Sequence, residues 1–280
     1  MTLANPVKDP RLDHDDAAER RLFEAMTATN NEMAVLHRDL AQKTRALEVA
    51  ITRNNQFVGM AAHDLRNPLH VIGGMSKVLL RSTNLNEKER RLLESIAASS
   101  AFMGRLVDDL LQVSELDAGN LHLAREELAL AAMLSERIDL QRVIAADKQI
   151  VMTGRFAAAV PNISGDRMRL VQVIDNLLSN AIKYSHANTT IRVHLRVLRG
   201  MACVSVRDQG QGIAPGEIGM LFQPFGVTST RSTAGEKSTG LGLMIVKRIA
   251  EAHGGCVRVR SRMGVGTTFH LLLPVEASIG

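Results

Sequence analysis

The sequence predicts an α+β protein in two parts, a helical stalk followed by a layered sheet-and-helix domain. Three observations predict it. Apolar residues recur at heptad spacing from about Arg20 to Asp117, a stop signal interrupts them, and alternating strand-like runs segregated from helices follow. Residues 1–19 are polar and acidic in patches and are expected to be disordered. From Arg20 to about Arg81 the period is helical, with Met33, Leu40, Leu47, Asn54 and Ala61 as one seam and Leu36, Lys43, Ala50 and Phe57 as the second. Residues 20–54 therefore read as a coiled-coil signalling helix, in which Asn54 is the kind of polar seam residue that fixes register.

Residues 55–118 read as a helical hairpin. Pro68 lacks an N–H and clashes with the carbonyl one turn back, which predicts a kink just after His63. The turn is expected at 82–86, with Asn86 as N-cap of a second helix running to about Asp117. The seam of that helix is Leu92, Ile96, Ser99, Met103, Leu106, Leu110 and Val113. Leu93, Val107 and Leu111 widen the stripe beyond one partner helix, so two hairpins are expected to pair as a dimeric four-helix bundle.

Asp117-Ala118-Gly119-Asn120 is a helix stop and linker into residues 119–276. Helices are predicted at about 128–146, 166–184 and 241–253, and strands at 150–156, 190–198, 202–206, 256–261 and 267–273. A Gly-rich loop from Asp208 to Gly240 divides the domain.

Composition excludes several classes. No stretch reaches the roughly 18 apolar residues of a membrane span, and the N-terminus lacks a signal-peptide core. Cys203 and Cys256 have no metal spacing and read as buried thiols in a reducing cytoplasm. Net charge is +5 and pI about 9.5. A nucleic-acid partner is nevertheless not expected, because aromatics are 3% and the basic residues are scattered along the chain. An acidic ligand or acidic partner surface explains the excess more simply.

Chemistry concentrates in four segments. His63-Asp64-Leu65-Arg66-Asn67-Pro68-Leu69 joins an imidazole to an acid beside a proline, with His63 outside both seams. In Gln172 to Ser185, the residues Asn176, Asn180, Lys183 and Tyr184 share or border one helical face, opposite a leucine face. Amide oxygens suit hard cations such as Mg²⁺, and an ammonium suits phosphate. Asp208-Gln209-Gly210-Gln211-Gly212-Ile213 ends a strand, with Gly210 and Gly212 expected to let the backbone approach a ligand. The run from Gly235 through Lys237, Ser238, Thr239, Gly240, Leu241 and Gly242 opens a helix whose N–H groups form an anion site. There is neither a dinucleotide fingerprint nor a common phosphate loop.

Taken in order, these segments resemble the catalytic core of bacterial sensor histidine kinases: a phosphoacceptor hairpin joined to a GHKL-type α/β sandwich that binds ATP. His63–Leu69 resembles the H box, Asp175–Ser185 the N box and Asp208–Ile213 the first glycine box. Phe222–Phe225 resembles the F box and Gly240–Leu243 the second glycine box. The resemblance implies that His63 attacks the γ-phosphate of ATP while Asp64 holds the far ring nitrogen. It implies Asn180 as principal Mg²⁺ ligand, Asn176 beside the phosphates, Lys183 on phosphate and Tyr184 bordering the nucleotide. Asp208 is implied as reader of the adenine amino group, and 215–239 as a mobile lid anchored by Phe222 and Phe225. Lys237, Ser238, Thr239 and the amides near Gly240, Leu241 and Gly242 are implied as a phosphate clasp. Asn67 is implied as the residue that orients water to dephosphorylate a response-regulator receiver domain. A GHKL serine kinase would lack the His-Asp-x-x-Asn-Pro helix, and a degenerate scaffold would have lost the asparagine, aspartate and glycine positions. Only about 50 residues precede the H box, so the input is expected from a separate sensor protein docking on the stalk.

Overall fold

The computed structural model describes residues 10–275 except 83, 118–122, 227, 231, 234, 235 and 237; side chains at 10–25, 28, 48, 51–57 and 115–117 are also outside the described set. The chain divides into two units, Met1–Asn54 and Asn55–Gly280.

Helix α1 runs Pro10–Leu80. It begins ten residues before the expected start, which corrects the disordered reading for residues 10–19. Proline is preorganised for a first helical position, and the charged residues that follow are good helix formers needing no apolar seam. Within the first unit the seam residues Met33, Leu36, Leu40 and Leu47 are all exposed. Asn54 and Phe57 lie outside the described side chains.

In the second unit α1 continues through Pro68 without a break in helix assignment. Helix α2 is Glu87–Asp117. Its start is a reciprocal capping box: Glu89 N–H donates to Asn86 Oδ1 at 2.9 Å and Asn86 N–H donates to Glu89 Oε2 at 2.9 Å. The two helices meet through a small cluster of Ala62, Leu69 and Val107, with Leu111 against it. Ser100 Oγ donates to the Leu69 carbonyl at 2.5 Å. Arg66 forks onto Asp108 Oδ1 from Nε at 2.9 Å and Nη2 at 2.6 Å. The seam residues Leu92, Ile96 and Met103 instead stay exposed, as do Met60, Val71, Met75 and Val78 on α1. The hairpin thus spends Val107 and Leu111 on its own pairing and leaves the Leu92, Ile96 and Met103 part of the seam exposed, while Val113 packs on the domain core.

The remaining elements are β1 (Glu126–Leu128), α3 (Leu130–Asp147), β2 (Val151–Phe156), β3 (Ile163–Gly165), α4 (Arg167–Tyr184), β4 (Thr190–Leu198) and β5 (Met201–Arg207). A 3₁₀ turn (Pro215–Met220), α5 (Gly242–Ala252), β6 (Cys256–Arg262) and β7 (Gly266–Pro274) complete the domain. A five-stranded sheet has the order β2-β4-β5-β7-β6, parallel only between β2 and β4. Strands β1 and β3 form a separate antiparallel pair that sequence periodicity did not reveal. At three residues each they are too short to display alternation.

The core lies between one sheet face and the three helices. Leu134 and Ile138 of α3, Leu170, Ile174, Leu177 and Leu178 of α4, and Ile245 and Ile249 of α5 are buried there. The sheet supplies Ile191, Val193 and Leu195, then Ala202, Val204 and Val206, and finally Phe269, Leu271 and Leu273. Alternation at period two puts those residues inward and the intervening ones outward. Asp166 caps α4 by accepting from Arg169 N–H at 3.1 Å. Its own N–H donates to His253 Nε2 at 2.9 Å, while His253 Nδ1 bonds the Ile249 carbonyl at 2.8 Å. His253 is therefore a neutral structural imidazole closing the end of α5, and burial lowers its pKa.

Candidate active site

A cavity of about 580 Å³ opens between α4, the start of α5 and the loop that joins β5 to α5. Of the predicted residues, α4 contributes Asn176, Asn180, Lys183 and Tyr184. The β5 end and the loop contribute Asp208, Gly212, Ser238, Thr239 and Gly240, and α5 contributes Gly242. The amphipathic pattern of α4 explains the first group: with Leu170, Ile174, Leu177 and Leu178 held in the core, the amides and the amine must line the opposite side.

Asp208 is the most constrained polar group in the cleft. It is 4% exposed, and its Oδ1 accepts from both Gly210 N–H and Thr267 N–H, each at 2.9 Å. Burial raises its carboxyl pKa against the pull of those two amides. Both bonds fall on one oxygen, so the carboxylate is held rigidly with Oδ2 making neither. Lys183 is partly desolvated, which lowers its pKa, with Glu236 opposing the shift. Its Nζ lies 5.7 Å from the Tyr184 ring centroid.

The glycines divide by role. A Cβ on Gly210 would lie 2.2 Å from the Tyr184 carbonyl oxygen, and one on Gly212 would lie 2.2 Å from that of Arg262. Each closely approaches the protein's own backbone; Gly212 also lines the cavity, whereas Gly210 is not on its wall. Gly242 lines the cavity as well, and a Cβ there would meet Asn176 Oδ1 at 3.3 Å inside the cleft. Leu241 is 1% exposed, belongs to the core and is not on the cavity wall. Lys237 lies outside the described residues.

Three positions depart from expectation. Phe222 packs on the core, but Phe225 has φ +54° and is largely exposed, so only Phe222 anchors the loop. Asp175, within the N box, does not face the cleft. It pairs with Arg137 through two bonds at 2.9 and 2.8 Å and fastens α4 to α3. Thr239 Oγ1 donates to Asp109 Oδ2 of α2 at 2.7 Å and accepts from Leu241 N–H at 3.3 Å. Burial raises the Asp109 pKa, and the Thr239 bond opposes it.

Residues missed by sequence reasoning hold the loop in place. Lys148 Nζ pairs with Glu236 Oε1 at 2.6 Å and donates to the Ile182 carbonyl at 3.3 Å and to Thr233 Oγ1 at 3.1 Å. The only signal for Lys148 was a lone basic residue after a helix, and that carries no partner information. His63, Asp64 and Asn67 stand on α1, exposed and off the cavity wall. His63 Nδ1 lies 3.3 Å from Asp64 Oδ1, with side-chain exposures of 68% and 82%.

This arrangement is that of a phosphoacceptor hairpin coupled to a GHKL nucleotide fold. The His Kinase A phospho-acceptor domain matches residues 53–119, and the histidine kinase-, DNA gyrase B- and HSP90-like ATPase domain matches residues 165–277. A sensor-like histidine kinase of Rhizobium meliloti (strain 1021) is 32% identical over 251 residues, covering 89% of this chain and 48% of that protein. The signal transduction histidine-protein kinase BarA of Escherichia coli (strain K12) is 32% identical over 288 residues, covering 100% of this chain and 30% of that protein. The structure of full-length ShkA in complex with AMPPNP superposes with a TM-score of 0.66 at 29% identity, over 78% of this chain and 45% of that one. The chain belongs to the sensor histidine kinases and spans half or less of the length of these relatives. No described helix is long and apolar enough to cross a membrane.

Proposed function

We propose that this chain autophosphorylates His63 from Mg-ATP and passes the phosphoryl group to an aspartate of a response-regulator receiver domain. The observation that carries the reading is one chain holding both an exposed His63–Asp64 pair at 3.3 Å and a cleft lined by Asn180, Lys183 and a buried Asp208. The cleft fits the nucleotide. Asp208 presents a rigid acceptor for an exocyclic amine, Gly242 leaves room at the N-terminus of α5, and the amide of Asn180 suits a hard cation. ATP, when bound with Mg²⁺, supplies the transferable γ-phosphoryl group.

His63 contributes the nucleophile. With Nδ1–H directed at Asp64, the Nε2 lone pair is free to form the N–P bond as the bond from the γ-phosphorus to the ADP oxygen breaks and ADP leaves. The carboxylate stabilises the ring charge that develops and can take the Nδ1 proton. Asn176, Asn180 and Lys183 orient the phosphates, so catalysis is positioning and charge stabilisation. Homodimerisation through the hairpin is supported by the exposed apolar residues Leu92, Ile96 and Met103. A separate sensor protein acting on the stalk is part of the same proposal, with the exposed residues Met33, Leu36, Leu40 and Leu47 of the first unit as apolar surface open to a second copy of the helix or to such a protein.

The test is purified protein with radiolabelled ATP and Mg²⁺, wild type against His63→Ala. Acid-labile, alkali-stable label lost in the variant is the expected result, and label persisting in His63→Ala would overturn it. Asn67, exposed one turn beyond His63, is proposed to orient the water that dephosphorylates the receiver domain. Asn67→Ala should slow loss of label from a phosphorylated receiver domain and leave autophosphorylation largely intact. Equal loss of both removes this role.

A further inference from the structure

The basic residues that look scattered along the chain converge on one surface in the fold. Helices cover only the inward face of the five-stranded sheet, so its outward positions form a second face that owes nothing to the nucleotide cleft. The register aligns those positions in rows. Arg192, Arg207, Thr268 and Arg260 make one row across four strands. Arg155, His194, Ser205, His270 and Arg258 make the next across all five. Arg196 begins a third row, and Arg262 extends the β6 edge.

The outward positions carry no Asp or Glu and no Lys. Apart from half-buried Arg192, these arginines are exposed, and among the described residues none of them is in an ion pair. Ser205 Oγ and His270 Nδ1 bond at 2.9 Å within the face. Burial and then the charges of Arg260 and Arg196 lower the His270 pKa, as a surface of positive potential requires. Beyond the arginines the face becomes apolar: Cys203, Leu272 and Cys256 complete the third row, and Leu198, Met201 and Pro274 the fourth.

We propose that this outer sheet face docks an acidic protein surface. Charge complementarity selects an anionic partner, and guanidinium forks in place of ammonium groups match the geometry of carboxylate or phosphate oxyanions. Two further features select protein among these. The apolar rows beside the arginines supply the desolvated patch of a protein interface, for which a phosphate backbone has no use. No aromatic residue stands at an outward position, so bases have nothing to stack on, and sheet twist of roughly 20° per strand prevents flush contact with a planar bilayer.

The test uses the full chain, with poly-L-glutamate as the acidic polypeptide probe against a short duplex DNA and phosphatidylserine-containing vesicles. Three triple variants are compared by titration calorimetry: Arg192→Gln, Arg258→Gln and Arg260→Gln; the same three positions →Lys; and Lys77→Gln, Arg81→Gln and Lys88→Gln on the hairpin. Circular dichroism and melting temperature establish that each variant is folded. Poly-L-glutamate should bind the wild type most tightly. The sheet glutamine variant should lose about tenfold or more in affinity, the lysine variant part of that, and the hairpin variant nothing measurable. Tighter binding of DNA or vesicles, equal losses in the sheet and hairpin glutamine variants, or full affinity in the lysine variant would each overturn the proposal.

Discussion

The hairpin and the sheet domain are built from similar apolar residues and use them in opposite ways. In the domain, Leu134, Leu170, Leu177, Val204 and Leu271 are all 0% exposed. Among the described apolar side chains of the hairpin only Ala62, Leu69 and Val107 are buried, while Ile96 and Met103 remain 45% and 49% exposed. Three helices over five strands enclose a core within one chain. Two helices have only one line of contact, so a second apolar face must find its partner elsewhere. The domain encloses its own core, and the hairpin leaves exposed the apolar side chains that the proposed pairing would cover.

The sharpest way to break this contrast is Leu177→Ala at the centre of α4. Loss of a fully enclosed leucine should cost about 2–5 kcal/mol, read as a fall in the denaturation midpoint of the domain with nucleotide binding lost alongside. A change under about 1 kcal/mol would mean that the core tolerates collapse at that position. On the hairpin, Met103→Asp should convert dimer to monomer in sedimentation experiments while leaving the melting of the nucleotide domain nearly unchanged. A variant that stays dimeric would show that another surface holds the two copies together.

A third expectation concerns pH within the sheet domain. The folded pKa of His253 is lowered from 6.5, so protons bind the unfolded chain first as pH falls. Its stabilising effect is complete above 6.5 and is lost as pH drops from there through the lowered folded value. Protonating Nε2 also removes the acceptor for Asp166 N–H. The urea midpoint should decline over this range in the wild type, and less steeply in His253→Gln, where the titration of His270 remains. An unchanged slope would assign the acid loss to other groups. The smallest effect belongs to Arg66→Ala. Its fork to Asp108 is solvent-exposed, at 36% and 53%, and should contribute no more than about 1 kcal/mol to hairpin stability.

Much of this molecule was readable before folding. The domain strands β2, β4, β5, β6 and β7 fell within a residue or two of their predicted ends, and the period-two alternation behind such readings is clearest in β4 and β7. The capping box at Asn86 and the leucine face of α4 carry their geometry in local spacing. Ten of the twelve described cleft residues named from the motifs reach the cavity wall, for the same reason. What failed was whatever depends on a distant partner. Local spacing does not reveal that Asp175 pairs with Arg137, 38 residues away in the chain, or that Gly210 lies against the Tyr184 carbonyl and off the cavity wall.

By itself the sequence determined the order of helices and strands, which face of each is apolar, and the motif set that marks a histidine kinase core. These follow from periodicity and short-range chemistry, which a linear chain displays directly. The tertiary structure decided which apolar stripe closes the hairpin and which stays open, and that Lys148 and Glu236 hold the loop over the cleft. It also gathered arginines from four strands onto one face. Those outcomes rest on register between segments tens of residues apart, and register is set by the packing of the whole sheet against its helices.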